Sequence, residues 1–375
     1  MTLPATTPLW FRDDMGSAPV LRGVVGDAIT LLDACLVNGF NSRTATSVVV
    51  SSNVATVTFS GAFGWLVNQV VEIAGATPPE LNGWKRVSTV SGNTLTFPAP
   101  GVANTTATGT ITCKTPGLGW AKVYSATNVA VYRAPDVTGT RLYLRVNDTG
   151  AGTGGASTAR ARGFETMSDV NTGTGPFPTD AQISGGLYWQ KSSTQNTTAR
   201  QWAAVGDGAT LYVGVRASPG NGYPQEWGFG DVASLASVDA YRCFIAGSPA
   251  FGFFNSHGVV GGFASGAYLA RAVSQTGGAI ALSSFAADYG SIEYPHTPNS
   301  GLLLRARLVM ESSTRARGQL RGVSGSMHGT NTANIFALGQ VLSAADGYAG
   351  LGLCIDAASS VTPQLAGVID LIGPW

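Results

Sequence analysis

Two carboxylates four residues apart, Glu165 and Asp169 in "RGFETMSDVNTGTGPFPT" (162–179), stand just ahead of a Gly-Thr-Gly turn and two prolines. Acids held about 5 to 9 Å apart can protonate a leaving group and activate water, the chemistry of glycan cleavage. On a helix the i, i+4 spacing would put both on one face. Like charges there repel, however, and Gly163, Gly173, Gly175, Pro176 and Pro178 bracket a segment too short to hold a helix. The stretch reads as a strand ending at "ARARGFETM", followed by a long ordered connection, and not as an acid pair. With 21 Asp and Glu in the chain, acid pairs arise by chance, so counting them decides nothing.

Other reactive constellations are equally thin. A hydrolase elbow needs G-x-S-x-G, which does not occur, and "GVSGSMHG", with Ser324, Ser326 and His328, reads as a Gly/Ser loop. The three histidines, His257, His296 and His328, have no metal-ligand spacing. Neither "DDMG" nor "VGDG" supplies the alternating oxygen ligands of a calcium loop. "GFGDVAS" from Gly228 and "GAGTGGAST" from Gly150 imitate phosphate loops but lack the strand, loop and helix order, and read as plain loops. No catalytic residue, cofactor site or metal site is expected.

Binding residues are better candidates. Among eight tryptophans, Trp189, Trp202 and Trp227 stand beside Gly or polar runs; strand tryptophans are usually core, but an exposed Trp202 and Trp227 would stack on sugars. Near the N-terminus, Trp10 and Phe11 precede Asp13 and Asp14 in a Pro-rich stretch. Such an extended segment has little to bury unless another surface receives it. These four residues are therefore the candidate assembly contacts, on an arm that docks on a neighbouring subunit.

The elements that would carry these residues are mostly strands. In "GVVGDAITLLDACLVNGF", Val25, Ala28, Ile29, Leu32, Cys35 and Leu36 recur at helical spacing, with Asp27 near the start and Asn38-Gly39 as a stop. From Thr44 the pattern changes to short β-branched runs, "SVVV", "VATVTF", "QVVEIAG", "WKRVSTV", "NTLTFP" and "TGTITCK", separated by turn formers. Residues 44–115 therefore form a small β-barrel or sandwich. If the 1–43 arm and helix pack on the sheets that resume at Trp120, that module is an insertion into a β-rich, sandwich-like body of residues 116–375, with a further division near 250. "TRLYLRVNDTG" alternates an apolar face with Arg141, Tyr143 and Arg145. "RQWAAVGDGATLYVGVRAS" is a hairpin whose Asp207-Gly208 can take the positive φ angles of a tight turn. Further strands are read at "AYRCFIAG", "GGAIALSSF", "LLLRARLVME", "RGQLRGVSG" and "LAGVIDLIG", and a second helix at "TANIFALGQV". The fold class is all-β, with one N-terminal helix.

Composition narrows the role. Only 11% of residues are Asp, Glu, Lys or Arg, against about 25% in ordinary domains. A surface so poor in charge points to faces covered by partner subunits, with hydroxyl-rich surface that stays wet as the alternative. Net charge is +1 with no basic run, which argues against nucleic acid. The N-terminus has no signal-peptide pattern and no stretch reaches the roughly 18 apolar residues of a membrane span, so synthesis in a cytoplasm without membrane insertion is expected. Cys35, Cys113, Cys243 and Cys354 are scattered, and read as buried free thiols.

"DDMGSAPVLRGVVGDAITLLDACLVNGF", "LNGWKRVSTVSGNTLTFP", "WAKVYSATNVAVYR" and "GFETMSDVNTGTGPFP" in this order resemble virion structural proteins of tailed bacteriophages and prophages of Gram-negative hosts. The resemblance covers about residues 10 to 245 and weakens beyond. It implies an arm, a helix ending in "LVNGF", a small β module with the "LNG" turn and a β-rich body. It also implies a place at the tail tip, baseplate or fibre attachment point, without a reaction. The partners it implies are other virion tail proteins and further copies of the same chain. The alternatives are a receptor- or glycan-binding tail protein that contacts the host surface through Trp202 and Trp227, and a depolymerase.

Overall fold

The computed structural model describes residues 3–4, 6–218, 224–252, 266–286, 296, 298, 301–326, 337–346, 348, 350–356 and 367–375. The chain is all-β, built from curled antiparallel sheets and one short helix. Two sheets make the body. A six-stranded sheet runs from Ala121–Ala126 to Leu187–Gln190. A thirteen-stranded sheet starts with Leu9–Arg12, continues through Trp202–Gly206, Thr210–Val215 and Gln225–Ser234, and reaches the C-terminal strands. The two share one core, which takes Leu144, Val146 and Ala161 from the first sheet and Leu211, Val213 and Phe229 from the second. Gln225–Ser234 pairs with both Cys243–Ala246 and Arg315–Ser326, so one sheet runs across the expected division near residue 250.

The helix forms where the apolar spacing placed it. It is α-helical over Asp27–Leu32 and widens to a π turn over Asp33–Asn38, after which Gly39 turns the chain at φ +69°. Ala28, Leu31, Leu32, Cys35 and Leu36 are buried against the body. Asp27 does not cap the helix; its carboxylate accepts from Arg22. The buried Asp148 takes the cap instead, accepting from the Ala28 amide at 2.9 Å. The reading of "TANIFALGQV" as a helix falls partly on residues 332–336, outside the described residues, and Ala337–Gln340 form a turn.

Residues 40–115 leave and rejoin the body side by side, because Phe40–Thr44 pairs antiparallel with Thr112–Thr115. Between them a four-stranded and a five-stranded sheet enclose a separate core that includes Val48, Val57, Ile73, Leu95 and Phe97, with Phe59, Phe63 and Trp65 clustered at 4.9 to 5.1 Å. The "LNG" turn is held by Asn82, whose side chain accepts from the Ala76 amide and donates to the Ala76 carbonyl, both at 2.8 Å, while Gly83 sits at φ +88°. Asn82→Ala removes both bonds from a partly buried loop, so the module is expected to lose about 1–3 kcal/mol. Amide exchange at Ala76 and Gly83 should accelerate while the body's exchange is unchanged.

Two expected connections are different in the structure. After Thr158–Met167 the chain makes a tight hairpin into Gly173–Phe177 instead of a long connection, and Asp169 closes its turn by accepting from the amides of Asn171 and Thr172. The hairpin at Asp207 is present, but neither Asp207 nor Gly208 has positive φ. The Asp207 carboxylate accepts the amides of Ala209 and Thr210 at 2.8 Å, so a side chain does the work that backbone geometry was expected to do. "GFGDVAS" is not a loop: it lies within the buried strand Gln225–Ser234.

Candidate assembly surface

The N-terminal segment is part of the body. Leu9–Arg12 is an edge strand, paired with Trp202–Gly206 in the register Trp10↔Val205 and Phe11↔Ala204. Trp10 and Phe11 are 2% and 0% exposed, Phe11 lies against Phe40, and the Trp10 indole donates to the Asn68 carbonyl. The surface that receives them is in the same chain, which corrects the expectation that they dock on a neighbour. Asp13 and Asp14 follow in a turn; Asp14 pairs with Arg12, and both line a cleft of about 350 Å³ with Gln201, Leu338 and Gln340. Burial raises the Asp13 carboxyl above its ordinary value.

Trp202 and Trp227 are 0% and 1% exposed. The Trp202 indole donates to the Pro19 carbonyl, and Trp227 stacks on Trp189 with planes 2° apart and centroids 5.3 Å apart. Neither ring can reach a sugar, so the proposed glycan contact is corrected: both strands are central to the thirteen-stranded sheet and their large rings fill the core.

Several acidic side chains among the described residues are engaged within the chain. Glu165 binds Arg271 through two contacts of 2.6 Å, far from any role with Asp169. Arg317, 1% exposed, donates from Nε and Nη2 to Asp239 at 2.5 and 2.6 Å, and from Nη1 to Glu311 and to the Arg271 carbonyl. Burial pushes the Asp239 carboxyl up, but the Arg317 guanidinium and the Ser234 hydroxyl outweigh it, leaving Asp239 below its ordinary value. Burial leaves Asp231 above its ordinary value despite bonds from Thr140. Such pairs can hold loops.

What they hold is one end of the body. The loop after Val129–Arg133 and the loop after Gln225–Ser234 meet there around a cleft of about 330 Å³. Asp231 accepts from the Thr140 amide and hydroxyl at 2.8 and 2.5 Å, and Arg242 donates to the Thr138 carbonyl at 2.8 Å. The second loop is tied by Asp239 to Arg317 and by Gln275 to the Val238 carbonyl. On these fixed loops Val137, Leu235 and Val238 are 79%, 70% and 74% exposed, the three largest values among the exposed large apolar side chains of the described residues. Sequence reading missed them, although each is a lone aliphatic residue amid turn formers, in "APDVTGT" and "SLASVD", where no strand periodicity could bury it.

The four cysteines are buried and in no disulfide. Among the described residues no helix is long and apolar enough to cross a membrane, and no three His, Cys, Asp or Glu side chains gather as a metal cage. The sequence matches no protein-family model, and a search of curated proteins finds no significant relative.

Proposed function

We propose that the chain is a structural subunit of a tailed-phage virion, at the tail tip, baseplate or fibre attachment point, acting by protein–protein assembly. The observation that carries this reading is the pair of loops presenting Val137, Leu235 and Val238 to solvent on an ion-paired, rigid base. Exposed aliphatic side chains cost solubility unless a partner covers them, and ordering the loops in advance lowers the entropy lost on docking. The charge-poor composition and the four stretches similar to virion proteins support the same reading.

Changing Val137, Leu235 and Val238 together to Ser tests it. Exposed substitutions of this kind shift stability by about 0.5 kcal/mol or less each, so the melting curve is expected to stay in place while incorporation into particles falls. Particles purified from the phage that encodes the chain are expected to contain it, with these loops against another protein in cryo-electron microscopy. Absence of the chain from the particle would overturn the reading; loops left bare in the particle would remove its main support.

A further inference from the structure

Among the described residues, the most enclosed pair of opposite charges lies away from the assembly surface. Asp148 and Lys191 are both 0% exposed, with Lys191 Nζ 2.5 Å from Asp148 Oδ1. Each residue directly follows a strand, Tyr143–Asn147 and Leu187–Gln190, and these strands flank Thr158–Met167 on its two edges. Backbone bonds hold both in place: the Asp148 amide donates to the Asn128 carbonyl and the Lys191 amide to the Ser157 carbonyl. The remaining partners are the Ala28 amide, donating to Asp148 Oδ2 at 2.9 Å, and the Val24 carbonyl, accepting from Lys191 Nζ at 2.5 Å.

We propose that Lys191 and Asp148 condense to an intramolecular isopeptide bond, cross-linking the two strands across Thr158–Met167. A fully dehydrated ion pair is costly to keep, because the attraction seldom repays the loss of water from both ions. Burial pushes the Asp148 carboxyl up and the Lys191 ammonium down, each against the partner's opposing pull. Both directions favour the neutral acid and the neutral amine, and a desolvated amine is a competent nucleophile. Positioning does the rest, since two groups fixed in contact react without the entropy loss of an encounter.

The step balances within the pair. One proton passes from Nζ to Oδ1. The neutral Nζ attacks Cγ, and Oδ2, bound by the Ala28 N–H, carries the developing charge. A second proton moves from Nζ to Oδ1, which leaves as water. The C–Oδ1 bond breaks, the C–Nζ bond forms, and nothing is oxidised or reduced. The product amide inherits the existing partners: its oxygen accepts from Ala28, and its N–H can donate to Val24.

The test is the intact mass of the full chain under denaturing conditions, allowing for loss of Met1, followed by a protease digest. The wild type is expected to be lighter than its sequence by one water, with the peptides containing residues 148 and 191 joined. Lys191→Met is expected to have its full sequence mass. A wild type at full sequence mass overturns the proposal. So does a water loss that the digest places elsewhere, for example at Asp207-Gly208. Should Lys191→Met fail to fold, the wild-type digest alone still decides. None of these readouts depends on whether the chain is a virion subunit.

Discussion

Deleting residues 1–20 is expected to abolish cooperative folding of the body, a larger effect than loss of a docking arm would produce. The segment supplies an edge strand with four residues in register from Leu9↔Gly206 to Arg12↔Ala203. It also supplies Leu9, Trp10, Phe11 and Met15, each 4% exposed or less. Emptying a buried Trp or Phe site costs about 3–5 kcal/mol each, so two such losses alone approach the total stability of about 5–15 kcal/mol of an ordinary protein. The deletion also uncovers Trp202, whose indole bonds to Pro19. Far-ultraviolet circular dichroism during heating, with limited proteolysis, reads the outcome. A truncated chain that melts like the intact one would show the segment to be dispensable and would restore the docking arm.

Arg317→Ala is expected to cost about 3–5 kcal/mol, because it strands two buried carboxylates, Asp239 and Glu311, without their cation. The effect should be local at first: Ser234, Asp239 and the Val238 loop lose their anchor, so proteolytic cleavage there should precede global unfolding. Asp239→Asn in the Arg317→Ala background is expected to recover part of the loss by removing one orphaned charge. The pH dependence has a definite sign. The Asp239 carboxyl lies below its ordinary value of 3.8 in the folded chain, so its contribution is complete above that value and fades as pH falls through the lower folded one. Arg317→Ala should lose this acid dependence. Denaturant unfolding at pH 7 and in acid measures both; an Arg317→Ala chain as stable as wild type would show the network to be dispensable.

The sequence was most informative where a pattern repeats. Strand after strand from Thr44 to Thr115 alternates β-branched residues with turn formers, and this small module folds around its own core. The helix between Asp27 and Asn38 was legible from spacing in the same way. The hairpin at Asp207 was legible in position but not in mechanism. A turn can be closed by backbone angles or by a carboxylate that accepts neighbouring amides, and both solutions favour Asp before Gly. The connection after Met167 was misjudged for a related reason: Asp169 folds five residues into a turn through two amide bonds that spacing alone does not reveal.

The candidate sites were the least legible. Trp10 and Phe11 look stranded when only their Pro-rich neighbours are considered, because the strand that receives them lies nearly 200 residues away. The residues around Trp202 and Trp227 leave a sugar platform open on paper, but their strands are buried on both faces, so neither side could have shown a ring to solvent. Val137, Leu235 and Val238 became visible as a surface only after two distant loops were brought together by Asp231, Arg242 and Arg317. By itself the sequence determined the all-β class, the N-terminal helix and the short strands of the small module, since local periodicity and turn chemistry act over a few residues. Which aromatics are covered, which charges are paired and which aliphatic side chains stay in water were decided by the tertiary structure, because burial and ion pairing depend on partners that only folding brings within reach.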